Sequence, residues 1–289
     1  MAALWLSAHD PVGHDGPSFR LEIEGKGSGT VLLAADVGNT EIVLGVFRGS
    51  TLEHTWRLST HPERTPDELA LTLSGFLAQR GMTFESQVTG LVVASVVPDV
   101  TATIREMTAR YFPFAPVIVG PGVKTGVPVL TDNPREVGAD RVVNALAAFT
   151  LTGGPAIVVD FGTATNFDVV SNKGEFLGGV IAPGMQASAA SLFSRTARLT
   201  RVELAAPPQV VGTSTVEAIQ SGLIFGTAGE VDAIVTRIRA GLPGAATIAT
   251  GGLAPVVIPH CTTIDRHEPS LTLEGLRLVF DKNAVTADG

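Results

Sequence analysis

Two aspartates stand where they could take part in phosphate chemistry. Asp36 and Asp160 each follow an apolar run and each begin a glycine-containing turn, DVGNT at 36–40 and DFGTAT at 160–165. Glycine lets the backbone bend tightly, successive N–H groups form an anion-binding concavity, and threonine hydroxyls add donors. Because an aspartate facing a phosphate would repel it, the pattern indicates a cation between them. Two such loops facing each other would clamp a polyphosphate with Mg²⁺, an arrangement that suits phosphoryl transfer.

A simpler interpretation applies to either loop alone. Each could be an ordinary hairpin turn in which the aspartate caps neighbouring backbone N–H groups. The duplication favours phosphate binding, because each loop follows a β-branched run and precedes a hairpin.

A third acidic residue, Asp140, lies in the run GADR at 138–141, at the start of a predicted helix. An aspartate in this place is usually a helix cap. The functional alternative is a carboxylate general base, with Arg141 holding an anionic group of the substrate.

Two further motifs lie in the second half of the chain. The run GTSTVE at 212–217 predicts a capping box between Ser214 and Glu217, which leaves the hydroxyl of Thr215 free to donate to a ligand. A Gly-Gly turn at 251–252 could let an adenine ring lie against the backbone. Further along the chain from Thr215, Gly222, Gly226 and Gly229 predict close packing or close approach of a ligand.

The elements that must position these residues repeat along the chain. An apolar strand at 31–35 leads through the first loop into a hairpin over 41–57, and 156–181 repeats this unit with strands at 156–160, 166–170 and 175–181. Helices are predicted from Thr65 and from Pro98. The alternation predicts an α/β fold of two related lobes over 31–150 and 151–289, each a mixed sheet flanked by helices, after an extension over 1–30 that is expected to be poorly ordered.

Composition limits the function further. The 289 residues are 45% hydrophobic and 17% charged, which excludes a disordered chain, and the net charge of −8 argues against broad binding to nucleic acid or to an anionic membrane. No apolar run approaches the length of a transmembrane helix. A single cysteine excludes an internal disulfide and a cysteine-rich metal site, and predicts a cytoplasmic protein.

The four motifs DVGNT, GADR, DFGTAT and GTSTVE occur in an order that resembles the type III pantothenate kinases. The resemblance covers about residues 31–283. It implies the actin-like, or ribonuclease H-like, fold that sugar kinases share. It also implies ATP-dependent phosphorylation of pantothenate, the first step of coenzyme A biosynthesis. A homodimer with its sites near the interface, Mg²⁺, and a monovalent cation (potassium or ammonium) are implied as well.

The same resemblance assigns roles by position. It implies that Asp140 is the general base, that Asp160 is a ligand of the monovalent cation, and that Asp36 holds Mg²⁺ through water. The implied ATP-binding residues are Asp36, Val37, Gly38, Asn39, Thr40, Glu41, Ile42, Val43 and Thr163. The implied pantothenate-binding residues are Gly138, Ala139, Asp140, Arg141 and Thr215.

The sequence departs from the family pattern at two positions. Asn166 replaces the last threonine of the second loop, and Thr131 replaces a tyrosine that often precedes the run DNP. Asparagine can still donate a hydrogen bond, so a modest effect is expected at position 166, whereas Thr131 puts one contact to pantothenate in doubt. Three alternatives stay open: a kinase for another small hydroxylated acid on the same fold, a non-catalytic regulatory or accessory homologue, and a DNA-binding regulator, which the acidic composition disfavours.

Overall fold

Two five-stranded sheets, one in each half of the chain, form the frame of the computed structural model. The structure describes residues 30–194 and 202–284, so the predicted extension lies outside the described residues except for Thr30. In the part of the chain that the structure describes, no helix combines the length and the apolar character that crossing a membrane requires.

The first sheet is built from an antiparallel meander with two parallel strands added beside its first strand. Its strand order is β3-β2-β1-β4-β5, and β4 runs parallel to β1. In chain order the elements are β1 (Val31–Val37), β2 (Glu41–Arg48), β3 (Thr51–Ser59), α1 (Pro66–Ala78), α2 (Phe84–Gln87), β4 (Val88–Ser95), α3 (Pro98–Tyr111) and β5 (Val117–Ile118).

The second sheet repeats this plan. Its order is β10-β9-β6-β7-β8, with the meander β6-β7-β8 and with β9 parallel to β6. The elements of this half are α4 (Ala139–Thr152), β6 (Ala156–Phe161), β7 (Ala164–Val170), β8 (Phe176–Pro183), α5 (Met185–Ser194), α6 (Thr215–Gly241), β9 (Ala246–Thr250), α7 (Ala254–Val257), β10 (Arg266–His267) and α8 (Leu271–Asn283). The predicted two-lobed α/β fold is therefore confirmed.

Local sequence signals explain where the helices begin. Thr65 caps α1 and Ser214 caps α6, each in a capping box with the glutamate three residues later. Close packing around Gly222, Gly226 and Gly229, one of the two predicted roles, is wrong for the described residues, because a Cβ built on any of the three meets no atom of them within 4 Å; close approach of a ligand stays a prediction. These glycines instead leave an open stripe along α6.

The helices α4 and α8 connect the two halves. Helix α8, from the end of the chain, packs on α4 and on strands β1 and β4 of the first sheet. Glycines allow both approaches: a Cβ on Gly275 would overlap the carbonyl of Val143, and one on Gly90 would overlap the ring of Phe280. This packing fixes the first turn of α4, which carries Asp140, against the first sheet as well as the second. A lobe boundary near residue 150 stays a prediction.

Candidate active site

A cleft of about 780 Å³ contains both aspartate–glycine loops. It is lined by strand ends and turns from both sheets and by residues at the starts of α4, α5 and α8: Asp36, Val37, Gly38, Asn39, Thr40, Glu41, Val43, Arg57, Ser95, Val96, Asp140, Asp160, Phe161, Gly162, Thr163, Ala164, Asn166, Gln186, Thr250, Gly251, Gly252, Leu253, Pro269, Thr272 and Leu273. The repeat in the sequence has thus folded into two loops that face one shared space.

The first loop is a tight turn between β1 and β2. The N–H of Gly38 donates to the carbonyl of Glu41 at 2.9 Å, and the carbonyl of Gly38 accepts from the hydroxyl of Thr60 at 2.7 Å. Asn39 and Thr40 are exposed at the tip, where their side chains can donate to a ligand. Ile42, in contrast, lies in the core and does not line the cleft, because side chains alternate across β2.

The second loop is held from behind by the turn after β9. The N–H of Gly162 donates to the carbonyl of Ala164 at 3.0 Å, which leaves Thr163 exposed in the cleft. Gly251 has a φ of +93°, and a Cβ at this position would lie 2.5 Å from Oδ1 of Asp160. Glycine is therefore required for its backbone conformation and for the space beside the carboxylate. The predicted Gly-Gly turn accordingly forms part of the cleft wall.

Asp140 enters the cleft from the first turn of α4. The residue before this helix is Gly138, which offers no side-chain cap, and Oδ1 of Asp140 is buried with no hydrogen-bond partner. A Cβ on Gly138 would overlap this same oxygen. The capping interpretation therefore does not describe Asp140, whose side chain lines the cleft and keeps one unpaired acceptor beside Gly138.

Burial and neighbouring carboxylates raise the pKa of Asp36 and of Asp160. Burial raises the pKa of Asp36 to about 8, and the charges of Asp140 and Asp160 add to this, while Arg57 opposes it. Burial and the charge of Asp140 raise the pKa of Asp160 to about 6, and the polar amide of Asn144 lowers it in part. Such crowded carboxylates favour a bound cation, which would relieve their mutual repulsion.

The donor set fits Mg²⁺ held jointly with phosphate oxygens. Within the ranges that the structure describes, no three His, Cys, Asp or Glu side chains are grouped so as to hold a metal ion alone. Mg²⁺ in phosphate sites is commonly bound by one or two carboxylates, with water and the phosphates completing the shell. The carboxylate of Asp36 meets this requirement, and that of Asp160 is a second acidic group in the same cleft that could bind another cation.

One charged residue of the cleft was not predicted from the sequence. Arg57 on β3 is the only cation among the described residues that line the cleft, and its guanidinium binds the carboxylate of Glu41 at 2.5 Å. It lies in a strand of alternating exposure, where an arginine ordinarily indicates no more than a solvated face.

The residues assigned to pantothenate are not all gathered in this cleft. Only Asp140 among them lines it, whereas Gly138, Ala139 and Arg141 lie beside it and Thr215 is exposed at the start of α6. The guanidinium of Arg141 is bound to Asp168, a fully buried aspartate of β7.

The two departures occupy different surroundings. Asn166 lines the cleft, where its amide can donate as the threonine hydroxyl would. The hydroxyl of Thr131 is buried and has no hydrogen-bond partner.

Comparison with known proteins agrees with this geometry. The family model of type III pantothenate kinase matches residues 32–237. The type III pantothenate kinase of Acidothermus cellulolyticus is 57% identical over 88% of this chain and 99% of its own length, and that of Frankia casuarinae is 57% identical over 88% and 100%. Among solved structures, component A of the (R)-2-hydroxyglutaryl-CoA dehydratase from Acidaminococcus fermentans matches with a TM-score of 0.54 at 13% identity, over 89% of this chain and 100% of its own. This last likeness concerns the fold alone.

Proposed function

The chain belongs to the type III pantothenate kinase family, and from this premise we propose how its own residues perform the reaction of that family, the phosphorylation of pantothenate for coenzyme A biosynthesis. The observation that carries the proposal is the single cleft that holds both aspartate–glycine loops together with Asp140. ATP is the co-substrate, and its triphosphate is the polyphosphate that two such loops would clamp.

The two loops bind the phosphates from opposite sides. Asn39 and Thr40 at the tip of the first loop, and Thr163 at the tip of the second, are exposed donors in the cleft. The remaining residues of 36–43 shape the first loop, Ile42 by packing in the core behind it. Arg57 adds a positive charge that offsets the phosphates. The adenine ring is expected to lie toward the Gly251–Gly252 turn.

Cations belong to the same arrangement. Asp36 would hold Mg²⁺ through water, and Asp160 would bind the monovalent cation, potassium or ammonium. When bound, these ions neutralise negative charge on the phosphates. Neutralising this charge is a large part of the catalysis of phosphoryl transfer.

Asp140 acts on the acceptor. The primary hydroxyl oxygen of pantothenate attacks the γ-phosphorus, the bond from that phosphorus to the bridging oxygen breaks, and ADP leaves. The hydroxyl proton passes to the carboxylate of Asp140. Because an ordinary aspartate is a weak base at pH 7, this carboxylate serves mainly to orient the hydroxyl and takes the proton late in a loose transition state.

A homodimer would explain where Thr215 lies. Thr215 is exposed and outside the cleft, and the apolar residues near it, Val210, Val211 and Val216, are 66%, 79% and 45% exposed. Exposed apolar residues grouped in this way commonly mark a contact surface. The open glycine stripe on the same helix would let a second helix approach closely. We infer that a second copy covers this segment and that Thr215 contributes to a pantothenate site near the interface.

The experiment that tests the proposal is a coupled assay of ADP release with and without pantothenate, with Mg²⁺ and potassium present. The enzyme is expected to release ADP only when pantothenate is supplied. The proposed setting of this reaction in the cell is the cytoplasm. Asp140→Asn is expected to lower this rate by about 10²- to 10⁴-fold, the usual worth of a general base, while ATP binding persists. Full formation of phosphopantothenate by this variant would refute the assigned base.

A further inference from the structure

A buried ion pair outside the cleft joins Arg141, which the family resemblance assigns to pantothenate, to an aspartate that has no role in the mechanism described so far. Nε of Arg141 on α4 donates to Oδ1 of Asp168 on β7 at 2.6 Å, and the two side chains are 15% and 0% exposed. Burying a charged pair costs solvation free energy that the attraction between the charges often fails to recover. Such a pair is therefore weak evidence for stability and invites a functional explanation.

The surroundings of the pair hold the guanidinium in one orientation. The ring of Phe176 lies 5.3 Å from the guanidinium carbon, a cation–π contact. Gly179 is the direct cross-strand neighbour of Asp168, and a Cβ at Gly179 would lie 2.6 Å from Nη2 of Arg141. We call Asp168, Phe176 and Gly179 the arginine socket. Asp168 accepts the hydrogen bond from Nε, the ring of Phe176 contacts the guanidinium, and Gly179 leaves the space that Nη2 occupies.

The socket leaves one donor of the guanidinium without a partner. Nη2 of Arg141 and Oδ2 of Asp168 are both buried and make no hydrogen bond, although Nε and Oδ1 of the same two groups are bonded to each other. A buried unpaired donor on a charged group is costly unless a ligand completes it. This donor lies beside Gly179, which is exposed on β8, the edge strand of the second sheet, so the edge of the guanidinium lies just beneath the surface of the fold.

We propose that Asp168 is a positioning residue for Arg141: by accepting from Nε it fixes the guanidinium so that Nη2 is directed at the carboxylate of pantothenate. The inference rests on the proposed function, since it assigns the anionic end of the same substrate to Arg141. Asp168 touches neither substrate nor the reacting atoms, and acts through the arginine alone. A guanidinium that is already oriented loses less rotamer freedom when it binds an anion than a mobile cationic side chain does.

The test compares Arg141→Lys, Asp168→Asn and the double variant in the full-length enzyme. The readouts are kcat, the KM for pantothenate, the KM for ATP, the melting temperature, and the inhibition constant of panthenol, the neutral counterpart in which CH₂OH replaces the carboxylate. Each single variant is expected to raise the KM for pantothenate by about tenfold or more, the worth of one charge-assisted hydrogen bond. The KM for ATP and the inhibition constant of panthenol are expected to stay within about twofold. Because Asp168 acts through Arg141, the double variant is expected to be no worse than Arg141→Lys.

A matched control removes an aspartate that pairs with an arginine elsewhere. Asp265 binds Arg239 and lies outside the cleft lining. Asp265→Asn is therefore expected to leave the KM for pantothenate, the KM for ATP and the inhibition constant of panthenol unchanged. If Asp168→Asn does not fold, Phe176→Leu loosens the same socket by an apolar change and must show the same selective loss for pantothenate.

The outcomes separate the inference from its premise. Multiplying effects in the double variant, or equal losses for pantothenate, panthenol and ATP, would mean that the ion pair is only structural and would overturn the inference. If Asp168→Asn leaves the KM for pantothenate unchanged while Arg141→Lys raises it, the positioning role of Asp168 would be overturned as well. The contact between Arg141 and pantothenate would then still stand. A wild-type enzyme that releases no ADP in response to pantothenate would instead refute the proposed function.

Discussion

Two glycines at opposite ends of β9 allow backbone strain to be separated from contact with the active site. Gly244 and Gly251 both have positive φ angles, +78° and +93°. A Cβ on Gly244 meets no atom within 4 Å, whereas one on Gly251 would lie 2.5 Å from Oδ1 of Asp160. Replacing each by alanine therefore imposes a similar conformational cost, about 1–2 kcal/mol, on the free energy of unfolding. Only Gly251→Ala also pushes on the second loop, because its Cβ would lie 2.5 Å from Oδ1 of Asp160 and 2.6 Å from the backbone N and C of Phe161, so its loss of stability is expected to be the larger of the two.

The size of the catalytic loss follows from this distance. Ordinary contacts of a Cβ begin at 3.4 Å, so Asp160 and its loop must move by about 1 Å to admit the methyl group. A misplacement of about 1 Å in an active site can lower activity about 100-fold, close to 2.7 kcal/mol in transition-state free energy. We expect Gly251→Ala to lose about this much kcat/KM, and Gly244→Ala to keep kcat/KM within about twofold.

The measurement pairs urea unfolding with pantothenate-dependent ADP release for both variants. A large loss of kcat/KM in the folded Gly251→Ala variant, without such a loss in Gly244→Ala, would support the assigned position of Asp160. Equal activities of the two variants would refute the reasoning, because the second loop would then tolerate displacement of its carboxylate.

Three further predictions concern the cations, the crowded carboxylates and the partner copy. Potassium is expected to give a higher rate than sodium, and Asp160→Asn to remove the difference in the same ADP-release assay; equal wild-type rates would contradict the cation role. Because the folded pKa of Asp36 is raised to about 8, the folded state binds more protons than the unfolded state, so the contribution of Asp36 to stability is largest below the unfolded pKa of 3.8 and declines as pH rises toward 8. Asp36→Asn is therefore expected to raise the free energy of unfolding of the nucleotide-free enzyme by a few kcal/mol more at pH 8 than at pH 5 in urea titrations, and a gain independent of pH would contradict this. Val211→Asp is expected to shift the protein toward a monomer in sedimentation velocity and to weaken pantothenate turnover, whereas Leu71→Asp, on the equally exposed face of α1, changes neither; a Val211→Asp variant with unchanged mass and activity would argue against the interface.

The repeated part of the fold was predictable because its signals are local. Apolar runs, glycine turns and capping boxes report on a few neighbouring residues, and the strands of both meanders lie within a few residues of their predicted places. The end of the chain was not predictable in this way. Nothing local to α8 indicates that it returns to the first sheet, since that packing depends on Gly275 meeting Val143, far away in sequence.

The site shows the same division. Asp36, Asp140 and Asp160 were predicted because motif and spacing place each at the end of an element. Ile42 was included with its neighbours, although the period-two alternation of a strand turns it into the core. Asp168 carried a usable signal, an acid between Phe167 and the apolar pair at 169–170 in β7, where an unpaired charge would not be tolerated. Its partner Arg141 could be recognised only once α4 was placed against β7.

The most direct test of the central claim is a crystal structure of the enzyme with Mg²⁺ and a non-hydrolysable ATP analogue. The account predicts that the triphosphate lies between residues 36–40 of one lobe and 160–164 of the other, with the terminal phosphate nearest Asp140. A nucleotide bound outside this cleft, or contacting one loop only, would contradict it.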